Sequence, residues 1–283
     1  MNTPDFSKLS QSPIYDPAAA TAFFEKVGTA ESVAPGATFF VERQRRGFFS
    51  ADDRMYLLLE GAVALSIGGK SLDTVNPGEV FGEMATITNS PRSATATAKS
   101  ACRVIALDGG QFQKAIQKTP AFALMLMSIM IDRLRLTLAR LAMLKALPDN
   151  AAGDERRVFD DETLDEIATR LGNPALLRYM PRKTVIKAGE AGVLMYLPRE
   201  GRVAIMADGR LLERVGVGGV FGEMALVNNA PRAADAVAET ECALLAVNRQ
   251  QLRQIVQSNP EFGLSLLKLI AKRLQAVTIM ASK

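Results

Sequence analysis

Short, apolar-rich runs separated by turn residues recur along two stretches of the chain. In the first stretch the runs are Arg54–Leu59, Ala62–Ile67, Ser93–Ala98 and Arg103–Leu107. The second stretch has counterparts, among them Leu194–Leu197 and Val203–Met206. Gly, Asp and Pro break the runs, and closely spaced short strands with such breaks are typical of a small antiparallel barrel or jelly roll. The pattern therefore predicts two β-rich regions.

Helical patterns follow each series of strands. Apolar positions three and four residues apart predict long helices over residues 120–147 and 260–280. Each long helix is preceded by a shorter one, over Gly110–Gln117 in the first region and Gln250–Ser258 in the second. Each β-rich region is thus expected to end in a pair of helices.

The remaining patterns complete a two-domain layout. Short helices are predicted over residues 16–27 and 161–171, ahead of each strand series, and the polar stretch 148–160 is typical of a linker. The predicted domains are residues 1–147 and 161–283. The fold class is α+β, mainly β, with each domain an antiparallel β-roll or jelly roll between a short N-terminal helix and a C-terminal helix pair.

An internal repeat links the two regions at a constant offset along the chain. Phe81–Ala85, with the sequence Phe-Gly-Glu-Met-Ala, returns as Phe221–Ala225, and Pro91-Arg92 returns as Pro231-Arg232 at the same spacing. No insertion or deletion is needed between these blocks. A long repeat without gaps indicates two copies of one domain, each able to carry the same chemistry.

Composition narrows the class of protein. The 283 residues are 48% hydrophobic and 23% charged, as expected of a globular chain with two domain cores. The formal net charge of +4 is mild and does not demand a nucleic-acid partner. The chain has no histidine, which removes the commonest general base and metal ligand near neutral pH.

The cysteines and the apolar runs bear on the compartment. Cys102 and Cys242 occupy matching places in the repeats, so each is expected to pack in its own core, as suits a reducing cytoplasm. The N-terminal sequence lacks the layout of a signal peptide. The longest apolar run, Ala121–Ile131, is too short to span a bilayer. We expect a soluble cytoplasmic protein with no membrane partner.

The repeated block has the chemistry of an anion site. Gly82 and Gly222 mark a turn from which a short helix can point several backbone N–H groups in one direction. Arg92 and Arg232 add a charged fork that fits a phosphate. A carboxylate such as Glu83, which only accepts hydrogen bonds, suits a sugar hydroxyl. Either motif alone is commonly a surface turn or a solvated charge, but together they suggest a nucleotide ribose-phosphate site.

The block resembles the phosphate-binding cassette of cyclic nucleotide-binding domains, and the resemblance covers nearly the whole chain in two copies. In that family the glutamate binds the ribose 2′-hydroxyl, the arginine binds the cyclic phosphate, and turn amides complete the cradle. By position, the resemblance implies a first site formed by Gly82, Glu83, Met84, Ala85, Arg92 and Ser93. It implies a second site formed by Gly222, Glu223, Met224, Ala225, Arg232 and Ala233.

The long helices are expected to cover the base of the nucleotide. Thr137 resembles a threonine that reaches the adenine in bacterial catabolite activator proteins, although an ordinary interface residue is the alternative. The second repeat has Val277 at that place and Thr278 one position later. Thr137 is therefore assigned to the first site and Thr278 to the second.

The residues that follow the arginines favour cAMP over cGMP. Ser93 has a hydroxyl that can add a bond to the phosphate, and Ala233 is similar to the cAMP-selective sites of cAMP-dependent protein kinase regulatory subunits. Relatives selective for cGMP place a threonine there. Asp235 departs from the small hydroxyl residue common at its position, and strand alternation would turn it away from Arg232 toward solvent.

Apolar stripes on the long helices predict an interface. The stripe positions are Leu124, Met127, Ile131, Leu134, Leu138, Leu141 and Leu144/Lys145 in the first helix, and Leu264, Leu267, Ile270, Leu274, Val277 and Met280 in the second. In related bacterial regulators this helix forms the dimer. A homodimer is therefore expected, and packing against the chain's own domains is the alternative.

Missing elements restrict the function. No helix-turn-helix pattern follows the second long helix, so direct DNA binding is not expected. Neither repeat has a nucleophile–base pair or a metal cluster, so we expect no enzyme activity and no cofactor. The sequence predicts a cAMP sensor that signals to a separate, unidentified protein effector. The alternative is a scaffold whose cassettes are degenerate or take another ligand, such as a cyclic dinucleotide.

Overall fold

The computed structural model divides the chain into two compact units. It describes residues 15–44, 54–143, 157–171 and 176–281. Unit 1 comprises Met1–Thr137 together with Leu267–Lys283, and unit 2 comprises Leu138–Leu266. The final helix of the second repeat is therefore divided between the units, because its residues from Leu267 onward belong to unit 1.

The predicted domain limits follow the repeat in the sequence, whereas the compact units divide the long helices. The limits 1–147 and 161–283 stay a prediction about the repeats. Most of the predicted linker, residues 148–156, lies outside the described residues.

Unit 1 holds two antiparallel four-stranded sheets. Its strands are β1 (Thr29–Val33), β2 (Thr38–Phe40), β3 (Arg54–Glu60), β4 (Val63–Ile67), β5 (Lys70–Val75), β6 (Val80–Phe81), β7 (Thr95–Ala98) and β8 (Cys102–Asp108). One sheet has the order β1-β8-β3-β6 and the other has the order β2-β7-β4-β5. The interleaved order confirms the predicted jelly roll.

Unit 2 repeats this arrangement. Its strands are β9 (Leu176–Tyr179), β10 (Thr184–Ile186), β11 (Leu194–Glu200), β12 (Val203–Ala207), β13 (Arg210–Val215), β14 (Asp235–Ala238) and β15 (Cys242–Asn248). They form sheets of order β11-β15-β9 and β10-β14-β12-β13. In place of β6, Phe221 forms an isolated bridge with Tyr196.

The helices match the predicted pattern. They are α1 (Pro17–Val27), α2 (Glu83–Thr88), α3 (Gly109–Lys118), α4 (Ala121–Met143), α5 (Asp161–Leu171), α6 (Glu223–Asn228), α7 (Arg249–Ser258) and α8 (Pro260–Ala281). Asp108 and Asn248 cap α3 and α7 through reciprocal capping boxes with a glutamine at the third helical position. None of the helices in the described parts of the chain combines the length and apolarity needed to cross a membrane.

Each unit has its own core between the sheets. In unit 1, Tyr56 and Phe81 stack with ring centroids 5.1 Å apart. Tyr196 and Phe221 repeat the stack in unit 2 at 5.2 Å. Cys102 and Cys242 are unpaired and buried in these cores, as predicted.

The offset between the repeats changes near their N-terminal ends. β3 and β11 begin at positions related by the same offset as the cassettes. However, Val33 pairs with Cys102, and Tyr179 pairs with Cys242. The separation along the chain between Val33 and Tyr179 is larger than the separation between the two cysteines. The first repeat therefore has fewer residues before its first strand and more residues between β2 and β3 than the second has at the same places, which the sequence pattern did not reveal.

Within unit 1, much of the apolar stripe of the long helices is buried. Ile131 and Leu134 of α4 are at most 2% exposed, as are Leu267, Ile270 and Leu274 of α8. These apolar residues are thus buried within a single chain, as the alternative to a homodimer, packing against the chain's own domains, would have it. The homodimer itself stays a prediction.

Candidate functional site

Each cassette begins at a glycine in the left-handed backbone conformation. Gly82 and Gly222 have φ angles of +75° and +80°, and each is the N-cap of a short helix, α2 or α6. Side chains other than glycine adopt this conformation at a cost. The turn directs the N–H groups of the first helical turn, which lack partners within the helix, out of the helix end.

These glycines are also surrounded closely. A Cβ atom on Gly82 would lie 2.9 Å from the Phe40 ring and 3.1 Å from the guanidinium of Arg92. A Cβ atom on Gly222 would lie 2.8 Å from the guanidinium of Arg232 and 3.0 Å from Ile186. The arginine therefore lies against the turn in both cassettes, as the resemblance implied.

The arginine side chains are held by backbone carbonyls. Nη1 of Arg92 donates to the carbonyl of Gly82 at 2.8 Å, and Nη2 donates to the carbonyl of Arg54 at 2.9 Å. Arg232 makes the same two bonds, to Gly222 at 2.8 Å and to Leu194 at 2.6 Å. These bonds fix the plane of a guanidinium that presents its charge at the turn.

The backbone of each arginine is held as well. The N–H of Arg92 donates to the carbonyl of Gln44, and its carbonyl accepts from the N–H of Arg43. Arg232 is bonded in the same way to Glu190 and Gly189. Four hydrogen bonds with backbone groups thus position each arginine at its turn.

The two arginines differ in what lies beneath them. The guanidinium of Arg92 stacks over the ring of Phe40, with its carbon 4.2 Å from the ring centroid. Ile186 takes the corresponding place beside Gly222, the turn glycine that Arg232 also contacts. Burial lowers the pKa of the Arg232 guanidinium, while the nearby Tyr196 and Glu223 act in the opposite direction.

The first-cassette carboxylate is paired with the long helix. Glu83 Oε1 accepts a hydrogen bond from Nη1 of Arg133 at 2.8 Å, and their side chains are 6% and 19% exposed. Nε of Arg133 is buried and has no hydrogen-bond partner among the described residues. The pair therefore joins the cassette to α4 and leaves a buried donor beside the carboxylate.

Burial singles out the four predicted charges. In the part of the chain that the structure describes, the charged residues that are at most 8% exposed are Glu83, Arg92, Glu223 and Arg232. Each ion removed from water costs several kcal/mol before it is repaid by partners. The two repeats thus bury a glutamate and an arginine at equivalent positions, in spite of this desolvation cost.

The other predicted residues near the turns are located as follows. Ala85 and Ala225 are buried in the short helices, while Met84 and Met224 are half-buried. Ser93 is half-buried beside Arg92, and Ala233 is exposed.

The two threonines that were predicted to contact the base, Thr137 and Thr278, both belong to unit 1. The hydroxyl of Thr137 donates to the carbonyl of Arg133, one helical turn earlier, at 2.8 Å. Thr137 belongs to the unit of the first cassette. Thr278 belongs to unit 1, whereas the second cassette belongs to unit 2. Its assignment to the second site stays a prediction.

Asp235 does not point freely into solvent. β14 begins at Asp235, just as β7 begins at Thr95, so the predicted strand alternation does not extend back to the arginine. Its Oδ1 accepts from the N–H of Ala188 at 2.8 Å and lies 3.2 Å from Nζ of Lys187. These contacts, the N–H first, lower the pKa of Asp235. In unit 1, Thr95 accepts the equivalent bond from Glu42.

Sequence reasoning missed several contributors. Phe40 and Ile186 come from β2 and β10, far from the motif, and no local pattern marks them. Arg133 had a signal, because it stands one helical turn before Thr137 and thus on the same face of α4. No group of three or more metal-ligating side chains occurs within the described ranges.

Turn, arginine and buried carboxylate define the class as a protein with two anion-binding cassettes on tandem jelly rolls. The sequence model of the cyclic nucleotide-binding domain matches residues 45–119 and 176–259, which contain both cassettes and make up more than half of the chain. The chain belongs to the cyclic nucleotide-binding domain family, with two copies of the domain.

Similar proteins include kinase regulatory subunits. A cAMP-dependent protein kinase regulatory subunit of Yarrowia lipolytica is 27% identical over 72% of this chain and 49% of its own length. The type II regulatory subunit of Drosophila melanogaster is 31% identical over 66% of this chain and 45% of its own length. The chain spans about half the length of these curated relatives.

Among solved structures, the Thermus thermophilus catabolite activator protein is 28% identical. The match covers 43% of this chain and 58% of that one, with a TM-score of 0.37.

Proposed function

We propose that this protein is a cyclic-nucleotide sensor that binds cAMP in one or both cassettes and regulates a separate protein. The observation that carries the proposal is the burial of one glutamate and one arginine in each cassette, Glu83 with Arg92 and Glu223 with Arg232. A cyclic phosphate supplies the anion that a buried guanidinium and a helix end attract, and a ribose hydroxyl supplies a donor to the carboxylate.

The preference for cAMP rests on the residues after the arginines. Neither Ser93 nor Ala233 is the threonine that cGMP-selective relatives carry. The similar kinase regulatory subunits are named for cAMP dependence, which is consistent with that preference. The role proposed here is regulatory rather than catalytic, and the free, buried cysteines fit a reducing compartment such as the cytoplasm.

The mechanism follows from the contact between cassette and helix. Arg133 on α4 binds the carboxylate that a ribose hydroxyl would approach. A ligand that strengthens or displaces this pair changes the position of α4. It shifts the equilibrium between two conformations only by its difference in affinity for them. The partner protein reads that shift.

Calorimetric titration of nucleotide-stripped protein with cAMP and cGMP tests the proposal. Arg92→Ala and Arg232→Ala should each weaken one binding event by about 2–5 kcal/mol, because each removes a charge-assisted phosphate contact. Arg103→Ala and Arg178→Ala are matched controls, because these arginines are exposed and form surface pairs with Glu60 and Glu200. They should leave both events unchanged.

Binding of neither nucleotide would contradict the sensor. It would favour the scaffold, or another anionic ligand such as a cyclic dinucleotide, which the same titration can examine.

A further inference from the structure

The last helix contacts the hydroxyl groups of the first cassette. Nε2 of Gln275, on α8, lies 2.9 Å from Oγ of Ser90 and 3.4 Å from Oγ of Ser93. All three residues are half-buried and belong to unit 1. Ser93 directly follows Arg92, so a side chain from the end of the chain touches the anion cradle of the first repeat.

The direction of these hydrogen bonds follows from the neighbouring threonine. Thr88 uses its single hydroxyl proton on the carbonyl of Met84, at 2.7 Å. Thr88 and Ser90 hydroxyl oxygens are 2.6 Å apart, so Ser90 must be the donor in that bond. Ser90 then accepts from Gln275, which places the amide nitrogen of Gln275 toward the cassette. Gln275 thus donates to Ser90, Ser90 donates to Thr88, and Thr88 donates to the carbonyl of Met84 in α2.

This order leaves Ser93 as a donor to an anion. Because Ser93 accepts from the Gln275 amide, its own proton is not used in that bond. A hydroxyl that accepts one hydrogen bond also donates a stronger one, since successive bonds polarise each other. Gln275 therefore orients the Ser93 proton and strengthens it as a donor.

The second cassette lacks both hydroxyl groups. At the offset of the repeat, Ala230 and Ala233 stand in place of Ser90 and Ser93. Alanine methyl groups can neither accept nor donate. The two hydroxyls that contact Gln275 therefore occur together in one cassette and are replaced together in the other, as expected of residues that act as one unit.

We infer that Gln275 is a positioning residue of the first site, which sets its affinity for the cyclic phosphate by orienting Ser93. The inference rests on the proposed function, because it requires that the first cassette take a cyclic nucleotide. Because Gln275 lies in the C-terminal half of α8, the affinity of the first site for the cyclic phosphate depends on the position of that part of the helix. A displacement of α8 is therefore transmitted to the first site.

Calorimetry with cAMP on the full chain tests the inference, with the first-site event assigned as the one that Arg92→Ala removes. Gln275→Leu, which keeps the side-chain bulk without the amide, should weaken that event about threefold to tenfold. Ser93→Ala should weaken it by a similar or larger factor. The double variant should be no weaker than Ser93→Ala alone, because Gln275 acts through that hydroxyl.

Gln275→Ala is measured beside Gln275→Leu, and melting temperatures of all variants identify any that fail to fold. Lys272→Ala, an exposed change on the same part of α8, is the matched control and should leave the event unchanged. Multiplying effects in the double variant, or unchanged affinity in both Gln275 variants, would overturn the inference and leave the sensor intact. Absence of a first-site event in the unmodified protein would overturn both.

Discussion

The two cassettes share a backbone but surround the same two charges differently. Both arginines donate to the carbonyl of a left-handed glycine and of a strand residue. Around these bonds, the first cassette places an aromatic ring, Phe40, where the second places an aliphatic side chain, Ile186. The backbone cradle has been retained in both copies, while the side chains that set its strength have diverged.

The difference extends to the hydroxyl groups. Ser90 and Ser93 of the first cassette contact Gln275, whereas the second cassette has Ala230 and Ala233 at the equivalent positions. Equal motifs thus lie in unequal surroundings, and we expect two sites of unequal affinity.

The largest effect is expected for the buried ion pair between Glu83 and Arg133, in comparison with an exposed ion pair on the surface. Arg133→Met leaves Glu83 buried without this cation, and we expect a loss of about 3 kcal/mol in the free energy of unfolding, measured by urea denaturation. Arg103→Met, which breaks the exposed pair with Glu60, should cost less than about 1 kcal/mol. Equal losses in the two variants would show that the buried pair has no special weight.

A smaller effect is expected from adding a methyl group to the turn glycine of each cassette, which tests how closely the surrounding atoms pack against the two turns. Gly82→Ala and Gly222→Ala each combine a strained backbone with contacts shorter than 3.0 Å, and we expect losses of about 1–3 kcal/mol in unfolding free energy. Gly36→Ala and Gly209→Ala are matched controls, because these glycines also have positive φ but no atom within 4 Å of the added Cβ. They should cost about 1 kcal/mol, from the backbone alone.

Nucleotide titration of the same variants sharpens the comparison. Gly82→Ala should weaken the first site and Gly222→Ala the second, since each added methyl group displaces the adjacent guanidinium. If the Gly36 and Gly209 variants weaken binding as much, the close approach of the arginine is not what matters.

The smallest effect concerns the side chain beneath the guanidinium. Phe40→Ile removes the cation–π contact of Arg92 and should weaken the first site by about 0.5–2 kcal/mol. Ile186→Phe builds the same partner under Arg232 and should strengthen the second site by a similar amount, if the larger ring fits. Calorimetry on both variants measures the shift, and movement of both sites in one direction would contradict this account.

Much of the fold was predictable because it depends on local patterns. α5 has its predicted bounds, and α1, α3 and α7 differ from theirs by at most one residue at either end, because apolar spacing marks them directly. β3 and β11 begin where predicted. The β7 strand was placed two residues too early, because Ser93 and Ala94 resemble strand residues but lie in the turn after Arg92.

The candidate sites were predictable for the same reason, up to a limit. Glycine, glutamate and arginine lie within one short segment of each repeat, so a single motif names them. Phe40 lies on β2, several strands before the cassette it joins, and Gln275 lies on α8, at the other end of the chain from Ser93. Contacts between residues so far apart depend on how strands and helices pack, which spacing along the chain does not reveal.

The sequence by itself determined the repeat, the strand-and-helix order and the two pairs of cassette charges, because periodicity and short motifs act over a few residues. Only the tertiary structure decided which residues of the long helices contact the first cassette. It brought Arg133 to Glu83 and Gln275 to Ser93, and it grouped Thr278 with the first unit rather than the second. Long amphipathic helices can bury their apolar stripes against more than one surface, so their partners are chosen by packing in three dimensions.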